Sequence, residues 1–165
     1  MAKKRTQRSD KELVNVSEHL LYEIAMLLGT ALDLVNPASN KWTVSNANAL
    51  IESFTIHARI LLDFLYSNNP QPDDVIAEDF FDDASVWLEQ RQAKTRLLTT
   101  IHKRVGKEVA HLTYARLAVT PEDKKWHFPA ITKEIDEVLR TFLRLVPASR
   151  VSDSFREYIS KTEST

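Results

Sequence analysis

Apolar residues recur at alternating spacings of three and four along most of the chain, and that pattern constrains the fold more than any other feature. In residues 44–65 the series is Val44, Ala47, Ile51, Phe54, Ala58, Leu61 and Leu65, with Leu50, Leu62 and Phe64 widening the arc. At about 100° per residue such a series lies along one side of an α-helix, whereas a half-buried strand needs a period of two. The same spacing runs through Leu13, Val16, Leu20, Ile24, Leu27, Ala31 and Leu34, and again through Leu97, Leu98, Ile101, Val105, Val109 and Leu112. It returns in Ile131, Ile135, Val138, Leu139, Phe142 and Leu143, and residues 151–159 allow a short closing helix. No strand pattern and no internal repeat interrupts it. The predicted fold is all-α, an antiparallel helical bundle of about five main helices plus short helices.

Local signals set the boundaries. Ser9 followed by Glu12 predicts a capping box at the first helix, and Asn36-Pro37 ends that helix in a loop over residues 36–43. Residues 67–74, SNNPQPDD, read as a surface excursion. Thr120-Pro121-Glu122-Asp123 has the hydroxyl, proline and acids of a helix start. The acids Asp73, Asp74, Glu78, Asp79, Asp82 and Asp83 lack the spacing and turn glycine of a calcium loop. They predict instead a short helix that buries Phe80 and Phe81 and leaves its carboxylates in water. Residues 1–8 are expected to be a flexible basic arm, 9–159 a single helical-bundle domain, and 160–165 a flexible tail.

Charge and composition remove several function classes. With 22 Lys plus Arg against 23 Asp plus Glu, any nucleic-acid contact has to come from a local patch. The absence of cysteine excludes disulfides and thiolate metal sites and fits a reducing, cytoplasmic setting. Two glycines exclude a glycine-rich phosphate cradle. No apolar run reaches the length of a membrane span, so no membrane partner is expected.

The stretch most capable of chemistry is residues 94–117. If it is one helix, Arg104, Glu108, His111 and Ala115 follow one edge of the apolar stripe, with Arg104 and His111 two turns or about 10 Å apart. At such a half-buried edge a histidine's pKa moves easily and an arginine's charge is poorly screened. The alternative is structural: Arg104 and Glu108 form an i,i+4 ion pair, and His111 packs at the core boundary. A di-iron bundle site needs two Glu-x-x-His motifs and two further glutamates, and Glu108 to His111 supplies only one. A site from His57, His102 and His111 meets the difficulty that His102 leaves the opposite edge of the helix. No metal or other cofactor is therefore expected.

Arg104, the six residues VGKEVA and then His111 resemble the mark of the HEPN family of helical-bundle proteins, an arginine followed after four to six residues by a histidine on a late helix. The resemblance implies a four- or five-helix bundle that forms a homodimer with two such motifs facing each other. It also implies RNA cleavage or RNA binding, often by a metal-independent endoribonuclease of toxin–antitoxin or antiviral defence systems. In that reading His111 acts on the ribose 2′-hydroxyl or the leaving oxygen, Arg104 holds the scissile phosphate and its developing charge, and Glu108 orients one of them. Lys107, Arg140 and Arg144 are the candidate RNA contacts. Gly106 within the helix points to a close approach or a local bend. The competing expectation is a non-enzymatic helical interaction module, an antitoxin or defence adaptor with a cognate protein partner, in which Arg104, Glu108 and His111 are structural. An enzyme needs Arg104 and His111 exposed in a groove shared by two subunits, whereas a module allows them to pair within one chain.

Overall fold

The first helix begins as its capping signature requires. The Ser9 N–H and hydroxyl donate to Glu12 Oε2 at 2.9 and 2.8 Å, and the Glu12 N–H donates to Ser9 Oγ at 3.3 Å. These bonds hold the Glu12 carboxyl below its usual pKa. The second helix starts with the same device built from other residues. The Thr43 N–H donates to Asn46 Oδ1 at 3.3 Å, and the Asn46 N–H returns to Thr43 Oγ1 at 3.2 Å.

The computed structural model describes residues 5–36, 42–120, 122 and 124–163. Among these residues are six α-helices and no strand, so the chain is an all-α helical bundle: α1 (Asp10–Val35), α2 (Val44–Tyr66), α3 (Ser85–Gln90), α4 (Arg96–Arg104), α5 (Phe128–Leu145) and α6 (Asp153–Glu163). No helix among the described residues is long and apolar enough to cross a membrane. The residues divide into two compact units, one of Met1–Glu23, Asp63–Ala93 and Glu137–Thr165 and the other of Ile24–Leu62 and Lys94–Asp136.

The first unit is organised around Phe142 of α5. Its ring meets Phe64, Phe80, Trp87 and Phe81 edge-on, with centroids 5.1, 5.5, 5.7 and 6.0 Å away. A 3-10 turn, Ala77–Phe80, carries Phe80 into this cluster, and Phe81 follows it inward. The two phenylalanines are thus buried as the sequence predicts. Their neighbours depart from expectation, since Glu78 and Asp79 do not face open water. Asp79 accepts from Arg5 Nη2 at 2.6 Å, Glu78 lies 3.8 Å from Arg91 Nη1, and both carboxylate side chains are 16% exposed. In a 3-10 turn residues three apart share a face. Burying Ala77 and Phe80 therefore swings Glu78 and Asp79 to the flanks, where the arginines meet them.

Those contacts also anchor the chain start. Arg5 donates to the Gln71 carbonyl at 2.7 Å and Arg8 to the Pro72 carbonyl at 2.8 Å. Residues 5–8 of the expected arm are therefore tethered to the 67–74 excursion, while residues 1–4 lie outside the described ones. At the other end, α6 continues through residues 160–163 of the expected tail, and 164 and 165 lie outside the described residues.

In the second unit the stripes of α2, α4 and α5 supply the core. Phe54, Ala58, Leu61, Leu98, Ile131 and Ile135 are fully buried, and Phe54 meets Phe128 edge-on at 5.0 Å. Thr95 caps α4 by accepting the Leu98 N–H at 3.1 Å. The sequence predicts one helix over residues 94–117, and here the structure differs. After Arg104 the chain widens into a π-helical turn, Val105–Ala110, and His111 is extended at φ −131° and ψ 143°. A 3-10 turn, Tyr114–Ala118, follows. The carbonyls left open by the break are taken by side chains: Thr113 Oγ1 donates to the Lys107 carbonyl at 2.8 Å, and Arg116 Nη2 to the His111 carbonyl at 3.1 Å. Of the expected helix start at residues 120–123, Pro121 and Asp123 lie outside the described residues. Around them Lys124 donates to the Thr120 carbonyl at 3.1 Å, closing a turn.

Candidate functional site

Arg104 ends α4 and is engaged on several sides. Its Nε and Nη2 each donate at 2.9 Å to one oxygen of Glu108, the two-pronged geometry that suits guanidinium and carboxylate. Nη1 donates to the Lys125 carbonyl at 3.2 Å, and the guanidinium lies 4.0 Å over the Trp126 ring. The side chains of Arg104 and Glu108 are 18% and 19% exposed. The i,i+4 pair is thus realised, strengthened by an aromatic face and a carbonyl from the strand-free segment before α5.

Gly106, inside the π-helical turn, permits a close approach. A Cβ there would lie 3.2 Å from Arg59 Nη1, so the missing side chain makes room for that guanidinium.

His111 is not brought to Arg104 and Glu108. The helical register that would align them ends at Ala110, and the extended backbone at His111 carries its imidazole into an exposed position. Two clefts flank Glu108. One, of about 450 Å³, has Arg104, Lys125 and His127 in its wall; the other, of about 470 Å³, has Glu52, Arg116 and Trp126. His111 lines neither.

Lys107 is exposed in the second unit, whereas Arg140 and Arg144 are exposed residues of α5 in the first. His57 is buried, and His102 Nδ1 lies 3.2 Å from Lys94 Nζ. Among the described residues no three His, Asp or Glu side chains gather as a metal site would require.

Two features were not legible from spacing. Trp126 covers Arg104 although 22 positions separate them. Its sequence signal was an aromatic placed directly after two lysines, outside any apolar stripe. The second feature is the stretch after the helix break, where Leu112, Tyr114 and Leu117 are 91%, 91% and 84% exposed. Thr113 is extended at φ −127° and ψ 151°, so Leu112 and Tyr114 leave the same side of the chain. Tyr114 and Leu117, three apart in the 3-10 turn, share a face as well. All three side chains thus stand in water within six residues. Residues 94–127 around them hold eight Lys or Arg against three Asp or Glu, a local charge of +5 in a chain of −1.

Comparison with protein-family models, curated proteins and solved structures returns no match.

Proposed function

We propose that this chain is a non-enzymatic helical interaction module, with Arg104 and Glu108 clamping the end of α4 and the stretch 111–118 presented to a cognate protein. The observation that carries this reading is the engagement of Arg104 inside its own chain by Glu108, Trp126 and the Lys125 carbonyl. An arginine that stabilises a scissile phosphate has to offer its donors to the ligand at the moment of reaction. Here Nε and Nη2 already face a carboxylate, whose release would leave that carboxylate unpaired at one-fifth exposure.

One observation favours a second reading. The +5 charge of residues 94–127 suits RNA, with Lys107 as a phosphate contact and His111 exposed, as the HEPN resemblance implies. The two readings part on a single assay. Purified protein is incubated with structured and unstructured RNAs in excess EDTA beside Arg104→Ala and His111→Ala, each checked for helical content by circular dichroism. The module reading expects no cutting, or an equal background in all three proteins. Cutting by the wild type that both substitutions abolish would overturn it in favour of an endoribonuclease.

A further inference from the structure

Resting on the interaction-module reading, we infer that the stretch carrying Leu112, Tyr114 and Leu117 is a docking surface for a protein segment with an apolar face flanked by acidic residues. A single exposed leucine is ordinary on a protein surface, but three large apolar side chains left in water within six residues concentrate unburied apolar surface in one stretch. The backbone beneath them is held in place. Thr113 Oγ1 donates to the Lys107 carbonyl at 2.8 Å, and Arg116 Nη2 to the carbonyls of His111 at 3.1 Å and Val109 at 3.5 Å. A surface presented on a pinned backbone loses less conformational entropy on binding than a loose one.

Charge selects the partner. Lys107, His111 and Arg116 are exposed along residues 107–116, within the segment of charge +5. An acidic rim on the partner complements them, steers the encounter and fixes its orientation. A second copy of this chain meeting this stretch through its own would set Lys107 and Arg116 against themselves across a two-fold axis, and like charges there are unfavourable. RNA also complements the charge, but two of the three exposed side chains are leucines. Unpaired bases stack on aromatic rings and guanidinium planes, so a leucine pair is better satisfied by apolar protein side chains. An amphipathic helix with leucines one turn apart and glutamates at its edges has the required chemistry.

The test uses the full chain and three fluorescein-labelled probes: a helical peptide with leucines at i, i+3 and i+7 and glutamates elsewhere, the same peptide with lysines for the glutamates, and an oligouridine. Binding is read by fluorescence anisotropy for wild type, the double variant Leu112→Ser with Leu117→Ser, and Lys107→Glu, all at surface positions. The acidic peptide is expected to bind at least about tenfold tighter than the basic one, and to weaken by at least about tenfold in the double variant and severalfold in Lys107→Glu. Acidic-peptide binding that the leucine substitutions leave unchanged overturns this surface and leaves the module reading standing. Failure of the acidic peptide to bind, or equal binding of the two peptides, also overturns it, while the cleavage assay judges the module reading separately. Oligouridine binding that the double variant abolishes, with the acidic peptide unbound, overturns this surface as a protein-docking site and assigns it to RNA.

Discussion

Replacing Arg104 and Glu108 singly and together measures how firmly the guanidinium is held. An exposed ion pair contributes about 0.2–1 kcal/mol, whereas removing one partner of a fully buried pair costs about 3–5 kcal/mol. With side chains 18% and 19% exposed and two bonds of 2.9 Å in a fork, this pair belongs between those limits, at about 2 kcal/mol of coupling. Arg104→Ala also removes the contact with Trp126, about 1 kcal/mol for a partly desolvated cation on a ring, and the bond to the Lys125 carbonyl. The expected costs are about 3–4 kcal/mol for Arg104→Ala and about 2 kcal/mol for Glu108→Ala. The double variant should cost little more than Arg104→Ala, because the shared interaction is lost only once. Urea unfolding at neutral pH, followed by circular dichroism and by tryptophan fluorescence, gives the cycle. Strictly additive single effects, or a coupling below about 0.5 kcal/mol, would refute the clamp and return Arg104 to the pool of residues available to a ligand.

Two other perturbations address the first unit. Phe142→Ala should lower stability by about 4 kcal/mol, since it empties the centre of a five-ring cluster, while Phe142→Leu should cost less than half as much; urea midpoints check both, and near-equal costs would sink the idea of a central ring. Burial pushes the Glu78 carboxyl above its usual value near 4.5, and its Oε2 has no hydrogen-bond partner. A folded pKa above the unfolded one gives a contribution that is complete below the unfolded value and is lost as pH rises through the folded value. Glu78→Gln should therefore be more stable than wild type at pH 7 and lose that advantage as the pH falls below the usual carboxylate value of 4.5; a wild type that is the more stable at pH 7 would contradict the sign.

What the sequence determined by itself is local. The stripe of α2 could be read directly because helical periodicity needs only neighbouring residues, and Phe54, Ala58, Leu61 and Leu65 are all fully buried. The same holds for the Ser9–Glu12 box and for Arg104 with Glu108, groups three and four residues apart whose meeting a single turn guarantees. Leu112 marks the limit, because its spacing continues the α4 stripe as well as Val109 does, yet it stands 91% exposed. A periodic pattern states which side a residue would take on a helix, but not whether the helix persists or whether anything packs against that side. Those questions belong to the tertiary structure. It broke the helix after Ala110 and with it the alignment of Arg104 and His111. It also brought Trp126 over Arg104, and it turned Asp79 toward Arg5, 74 positions away. Each of these outcomes depends on which distant segments compete for a group's hydrogen bonds and apolar surface, and that competition is decided only when the chain is folded.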